Sequence, residues 1–213
     1  MTTLDDISAL LQKGRANETR AAVQKAIDEG IGAKDILEKG LMAGMSIIGD
    51  KFKVNEIYVP EVLVAARAMK AGIEPLKPLL ASSGVKSKGT VVIGTVKGDL
   101  HDIGKNLVKM MMEGKGLEVH DLGVDVSSEQ FIDAAREHKA NIVACSALLT
   151  TTMTEMKGVV EAMKTAGLRD KLTIMVGGAP ITDAFCKSIG ADLYSPDAAS
   201  AADDAIAACS QSA

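Results

Sequence analysis

From Thr2 to about Leu80 the apolar residues recur at helical spacing. Leu4, Ile7, Leu10 and Leu11 form one stripe. Val23, Ile27 and Ile31 form a second, Ile36, Leu37, Leu41, Met45 and Ile48 a third, and Val62, Ala65, Ala66 and Met69 a fourth. Recurrence at three and four residues predicts amphipathic helices. Interruptions fall near Gly14, at Gly30–Gly32, across Lys53–Pro60, and at Pro75 and Pro78. Pro60 suits the first turn of a helix, where its missing donor would be unpaired anyway. Four helices with short connections predict a small bundle over residues 1–80. The stretch 81–89, ASSGVKSKG, is small, polar and basic, and reads as a linker.

From Thr90 the pattern alternates. TVVIGTV, LEVHDLG, NIVACSA, KLTIMVGGA and ADLYS read as short, mostly buried strands. Between and after them, GKNLVKMMMEGKG, SSEQFIDAAREHK, TTMTEMKGVVEAMKTAG, ITDAFCKSIG and PDAASAADDAIAACS read as helices, with Ser127 or Ser128 as an N-cap. Five strands alternating with five helices predict, over residues 90–213, a Rossmann-type parallel sheet covered on both faces. The length suits a flavodoxin-like order, 2-1-3-4-5. Ligands of such sheets bind beyond the carboxyl ends of the strands, at the switch point between the first and third. KGDLHDIG, SALLTTT, GGAP and YSPDA should therefore meet on one rim.

Composition narrows the chemistry. A net charge of -4 gives no electrostatic reason to expect nucleic acid or an anionic membrane. Aromatics are 2% of the chain, too few for base-stacking platforms. No apolar run reaches the roughly 20 residues that span a bilayer. The acidic, amphipathic start lacks the features of a secretory signal, so a cytoplasmic protein is expected. The three cysteines, Cys145, Cys186 and Cys209, are scattered, which argues against a zinc site, an iron–sulfur cluster or a disulfide framework. Each is expected to be a small buried residue or, for Cys209, a surface thiol.

The loop after the first strand is not a phosphate cradle. Five residues separate Gly98 from Gly104, Asn106 stands where Ser or Thr is needed, and Asp99 and Asp102 would repel phosphate. No G-x-G-x-x-G follows a strand. The third strand ends in Cys145-Ser146-Ala147, not in the acceptor aspartate of a receiver domain. What remains is His101, with Asp99 two residues before it. A carboxylate on one ring nitrogen fixes the tautomer and raises the basicity of the other as a metal ligand. One His and one Asp fall short of a zinc site. They suit a metal already held by a macrocycle and needing one axial donor. Small residues at the strand ends, Gly98, Gly104, Ser146, Gly177 and Gly178, would leave a slot for a bulky tail.

These residues carry a resemblance. Asp99-Leu100-His101-Asp102-Ile103-Gly104 reads D-x-H-x-x-G, followed by S-x-L at Ser146-Ala147-Leu148 and by Gly177-Gly178. The series resembles the cobalamin-binding domain of methionine synthase and its relatives. VNEIYVPEVLVAARAMK after IIGDKF resembles the four-helix cap module that precedes this domain in corrinoid proteins of anaerobic methyltransferase systems, which serve methylamines, methanol, glycine betaine or methoxylated aromatics. The resemblance implies a helical cap domain (1–80), a linker (81–89) and a cobalamin-binding Rossmann-like domain (90–213). It implies His101 as the cobalt ligand in a base-off, His-on cobalamin, with Asp99 on the other ring nitrogen and Thr152 as the next member of a relay that couples proton uptake to cobalt redox state. Leu100, Asp102, Ile103 and Leu148 belong to the binding motifs. Ser146 and Thr150 hold the nucleotide tail or cap strand ends. Gly98, Gly104, Gly177 and Gly178 give clearance or turn geometry. Tyr194, Asp197 and Ala198 lie in a tail-contacting loop, although Asp197 equally suits the start of a helix. Phe52 and Val59 shield the methyl-bearing face or fill the bundle core.

The function so implied is a corrinoid methyl carrier, loaded as methylcobalamin and not catalytic alone. A substrate-specific corrinoid methyltransferase would charge it, a second methyltransferase would pass the methyl to tetrahydrofolate or coenzyme M, and a reductive activase would restore it. Alternatives are a subunit of an adenosylcobalamin mutase, against which the cap argues, a cobalamin sensor, for which no DNA-binding or signalling domain is visible, and a generic flavodoxin-like module.

Overall fold

The computed structural model describes residues 2–83 and 87–211, and its internal contacts divide near residue 86 into two compact units. The first is helical: α1 (Thr3–Gln12), α2 (Ala16–Asp28), α3 (Ala33–Asp35), α4 (Ala43–Lys53), α5 (Val59–Ile73) and α6 (Lys77–Ser83). A π-helical stretch, Ile36–Met42, joins α3 to α4 without a break, so the four predicted helices are all present. Thr2 caps α1: its hydroxyl accepts the Asp5 N–H at 3.2 Å, and the Asp5 carboxylate accepts the Thr2 N–H at 2.8 Å. The predicted stripes supply the core, with Ile7, Leu11, Val23, Ile36, Leu41, Met45, Ile48, Val62, Ala65 and Met69 buried.

Two expectations about the end of this unit are corrected. The interruption at Pro75 is present, since α5 ends at Ile73 and Pro75 lies in a 3-10 turn, Glu74–Leu76, but Pro78 interrupts nothing and sits in the first turn of α6, where a missing N–H is harmless. α6 then runs through Ser83 into the expected linker, because no breaker intervenes between Pro78 and Gly84. Residues 84–86 of that linker lie outside the described residues.

The second unit alternates as predicted: β1 (Thr90–Thr95), α7 (Ile103–Gly114), β2 (Glu118–Asp121), α8 (Ser128–Glu137), β3 (Ile142–Ser146), α9 (Met153–Thr165), β4 (Thr173–Gly177), α10 (Asp183–Ile189), β5 (Leu193–Tyr194) and α11 (Ala198–Gln211). The order is β2-β1-β3-β4-β5 and every pairing is parallel. Val91 to Thr95 are all buried, as befits a central strand covered on both faces. On one face, Val92, Val143, Cys145, Ile174 and Val176 pack with Phe131 of α8, Met156, Val159 and Met163 of α9, and Cys186 of α10. No residue of α7 belongs to this cluster, in keeping with the right-handed crossover expected between parallel β1 and β2. Ser127 caps α8, accepting the Gln130 N–H at 3.3 Å.

Cys209 is buried, not a surface thiol; it lies on α11 beside the Gly89 backbone, and burial pushes its thiol pKa up. Burial likewise pushes the Cys145 thiol up to about 12, so it is inert as a nucleophile. His120 and His138 form a pair that the sequence does not announce, their rings stacked with centroids 3.6 Å apart. Among the described residues no helix is long and apolar enough to cross a membrane.

Candidate functional site

The register places Thr95, Ser146 and Gly177 side by side at the carboxyl edge of β1, β3 and β4. The loop that leaves β1 is held from below. The Asp99 N–H donates to Val96 O at 3.1 Å, and the buried Thr95 hydroxyl donates to His101 O at 2.9 Å. Asp102 closes the loop at the start of α7: its carbonyl accepts the Asn106 N–H at 2.8 Å and its carboxylate the Asn106 side-chain amide at 3.0 Å.

Asp99 is fully buried and collects donors from three directions. Oδ1 accepts the His101 N–H at 3.1 Å and lies 2.7 Å from His101 Nδ1. Oδ2 accepts the Leu148 N–H at 2.8 Å, the Leu149 N–H at 3.2 Å and the Thr152 hydroxyl at 2.7 Å. Thr152 Oγ1 also lies 3.0 Å from Leu149 O, but one hydroxyl proton serves one acceptor, and the charged carboxylate is nearer. Burial alone would raise the Asp99 pKa. The N–H groups of Leu148 and His101, then the Thr152 hydroxyl and the His101 ring, outweigh it and hold the carboxyl well below the usual range.

Two consequences follow from these bonds. An ionised Asp99 only accepts, so Nδ1 of a neutral His101 carries the ring proton and Nε2 keeps its lone pair. The imidazole is half exposed, and Nε2 has no partner among the described residues. The depressed pKa also sets a pH dependence. Because the folded value lies below the unfolded value of about 3.9, Asp99 stabilises the fold fully above that pH and loses its contribution progressively as pH falls from there through the lower folded value. The stability gap between wild type and Asp99→Asn, measured by urea unfolding, is therefore expected to be widest at neutral pH and to shrink below pH ~4.

Thr152 allows a cleaner substitution, since valine keeps its shape and removes only the hydroxyl. Thr152→Val should destabilise the apo-protein by about 1.5–3 kcal/mol, the range for a hydrogen bond to a charged group. Thermal or urea unfolding reads this directly.

Other sequence-selected residues divide. Leu100 and Ile103 flank His101 and are 71% and 77% exposed. Leu148 and Leu149, whose N–H groups reach Asp99, are exposed as well, so the two loops that meet at Asp99 both carry large exposed apolar side chains. Exposed apolar surface of this kind marks a binding site. Among the described residues no three His, Cys, Asp or Glu side chains could share a metal ion. The donor set fits a metal that brings its other ligands with it. A Cβ at Gly104 or Gly177 would meet open space, as clearance requires. Gly178 is demanded by the chain itself: its φ is +132° and a Cβ would lie 1.9 Å from Ala147 O. Ser146 is half buried and Thr150 exposed, each hydroxyl without a partner among the described residues.

Toward β5 the bonds are local. Asp197 is the helix cap: Oδ1 accepts the N–H groups of Ala199 and Ser200, both at 2.9 Å, and Oδ2 the Ser200 hydroxyl at 2.7 Å. Ala198 is buried, and the Tyr194 ring packs against the core. In the helical unit Phe52, in the last turn of α4, and Val59, opening α5, are both half buried.

Some supports were not legible beforehand. Thr95 holds the His101 carbonyl. Lys105, only 2% exposed along its side chain, pairs with Asp121 at 2.6 Å and ties the start of α7 to the end of β2. Asp125, beyond β2, accepts the Gly98 N–H at 2.7 Å. Strand-end position was the available signal for Thr95 and Asp121; nothing in the local pattern marks Lys105 as buried or Asp125 as reaching the loop.

Comparisons with known proteins agree with this geometry. The B12 binding domain family matches residues 89–204, and a second family described as a B12 binding domain matches residues 3–77. The chain is 42% identical, over 93% of both chains, to dimethylamine corrinoid protein 1 of Methanosarcina acetivorans. Its fold superposes with a TM-score of 0.87, at 32% identity, on a chain of the methanol:cobalamin methyltransferase complex from Methanosarcina barkeri, covering 98% of this chain and 80% of that one. A cobalamin-binding protein from Desulfitobacterium hafniense superposes with a TM-score of 0.80 at 30% identity, over 96% and 98%. A rim built around one free imidazole nitrogen, a parallel sheet of order 2-1-3-4-5 and these matches together show that the chain belongs to the B12-binding corrinoid proteins.

Proposed function

We propose that this protein is a methyl-carrying corrinoid subunit of a methylamine- or methanol-type methyltransferase system, with His101 Nε2 as the axial ligand of cobalt in a base-off cobalamin. The observation that carries the reading is the Asp99–His101 contact at 2.7 Å, which leaves Nε2 unpartnered among the described residues. Bound cobalamin supplies a cobalt centre able to accept a methyl group and to give it up. The protein's own residues do the rest. Asp99 holds a proton on His101 Nδ1 and orients the ring, and Thr152 orients Asp99. The open space at Gly104 and Gly177, with the free hydroxyls of Ser146 and Thr150, accommodates the nucleotide tail.

The partner is a substrate-specific corrinoid methyltransferase, as the dimethylamine and methanol relatives suggest. A second methyltransferase, acting on tetrahydrofolate or coenzyme M, takes the methyl on, and a reductive activase keeps the carrier competent. The test is transfer. Corrinoid-loaded, reduced protein is mixed with purified methylamine or methanol methyltransferases and their substrates, and the absorbance of the bound cofactor is followed. Substrate-dependent methylation with at least one is expected; none with any of them would overturn the carrier reading.

A further inference from the structure

We propose that Asp125 is a positioning residue for His101, acting through the backbone of the ligand loop without touching the cofactor; this rests on the axial-histidine reading above. Asp125 lies between β2 and α8. Its main-chain N–H donates to Asp99 O at 3.0 Å, and its Oδ1 accepts the Gly98 N–H at 2.7 Å. The two bonds hold Gly98–Asp99 at both ends, from a segment 27 residues away in sequence. Two residues further on, His101 is held by its N–H on Asp99 Oδ1 and by its carbonyl on the Thr95 hydroxyl. The position of the imidazole therefore depends on the grip at Gly98–Asp99.

The residue type supports the role. Asp125 has φ +56°, a left-handed conformation that few side chains other than Asp and Asn tolerate. Two residues earlier Gly123 is also left-handed, at φ +84°, and a Cβ there would meet open space. The same short loop thus has glycine where only the turn matters and aspartate where an acceptor reaches across to Gly98. The Asp125 side chain is exposed, so water competes for its bond and the fold draws little stability from it. What it supplies is the placement of the loop.

The experiment compares Asp125→Gly and Asp125→Asn with wild type. Both variants accept the left-handed backbone; only asparagine keeps an acceptor. In the apo-proteins, hydrogen exchange is followed over the peptide covering Lys97–Ile103, with thermal unfolding alongside. The same proteins are then titrated with methylcobalamin, and the His101-dependent part of the spectrum is recorded. Asp125→Gly should unfold at nearly the wild-type temperature, exchange faster at the loop and bind methylcobalamin about tenfold more weakly, the lower end for loss of an outer-shell support. Asp125→Asn should match wild type throughout. Wild-type exchange and binding in Asp125→Gly would overturn the proposal, as would an Asp125→Asn variant as impaired as Asp125→Gly. Should the wild-type spectrum itself not depend on His101, the axial reading fails, while loop exchange in the apo-proteins still decides whether Asp125 holds the loop.

Discussion

His101→Ala is expected to fold normally and to lose the axial signature of bound cobalamin. The His101 ring is half exposed and is one of several donors to Asp99, so its removal leaves the carboxylate with the Leu148, Leu149 and Thr152 bonds. Stability should change little. Binding should change greatly, because the two other histidines lie elsewhere, His120 within β2 and His138 at the end of α8. Loss of a support behind a metal ligand costs roughly 10–100-fold in affinity, and loss of the ligand itself should cost at least ~100-fold. Methylcobalamin retained by the variant after gel filtration should be much reduced and should show the spectrum of the cofactor without an imidazole from the protein. Full retention with the wild-type spectrum would remove His101 from the site.

Gly178→Ala is expected to be the most damaging small substitution near the site. The added Cβ would lie 1.9 Å from Ala147 O and 2.9 Å from Ala147 C, which are backbone atoms that cannot rotate away. The φ of +132° is itself unfavourable for alanine. Backbone strain and overpacking together should cost at least about 3 kcal/mol. The relief of that clash would displace Ala147, and with it the Leu148 and Leu149 N–H groups that hold Asp99 Oδ2, so cobalamin binding should fall with stability. Gly177→Ala is the control. Its Cβ enters open space, so unfolding in urea should be nearly unchanged, while cofactor binding falls if that space receives the tail.

Much of this was legible in the sequence because the signals were periodic. β-branched runs such as Thr90–Ile93, separated by helical stripes, allow few topologies once crossovers must be right-handed. The strand-end rule then places His101 on the rim at the carboxyl end of β1, before any motif is compared. Asp99 and Thr152 were legible for another reason: a buried carboxylate and a hydroxyl beyond the third strand belong to a recurrent motif. The remainder depends on backbone groups and long-range pairing. The Leu148 N–H that does most to hold Asp99 ionised belongs to a residue whose side chain suggests nothing of the kind. Asp125 and Lys105 act across 27 and 16 residues, distances at which no local pattern reports. Asp197 illustrates the converse: its place at the start of a helix was legible, and its carboxylate caps α11. The end of α6 was missed because the small polar sequence from residue 81 reads as a linker, although nothing in Leu79–Ser83 prevents a helix.

The most direct measurement is electron paramagnetic resonance of the cobalt(II) form of the loaded protein, with and without nitrogen-15 in its histidines. The unpaired electron of cobalt(II) lies along the axial direction and couples to the nucleus of the axial nitrogen. With His101 Nε2 as ligand, labelling histidine alone should turn the triplet splitting of nitrogen-14 into the doublet of nitrogen-15, and His101→Ala should remove the splitting. A triplet unchanged by the label would place the cofactor's own base on cobalt and contradict the assignment of His101.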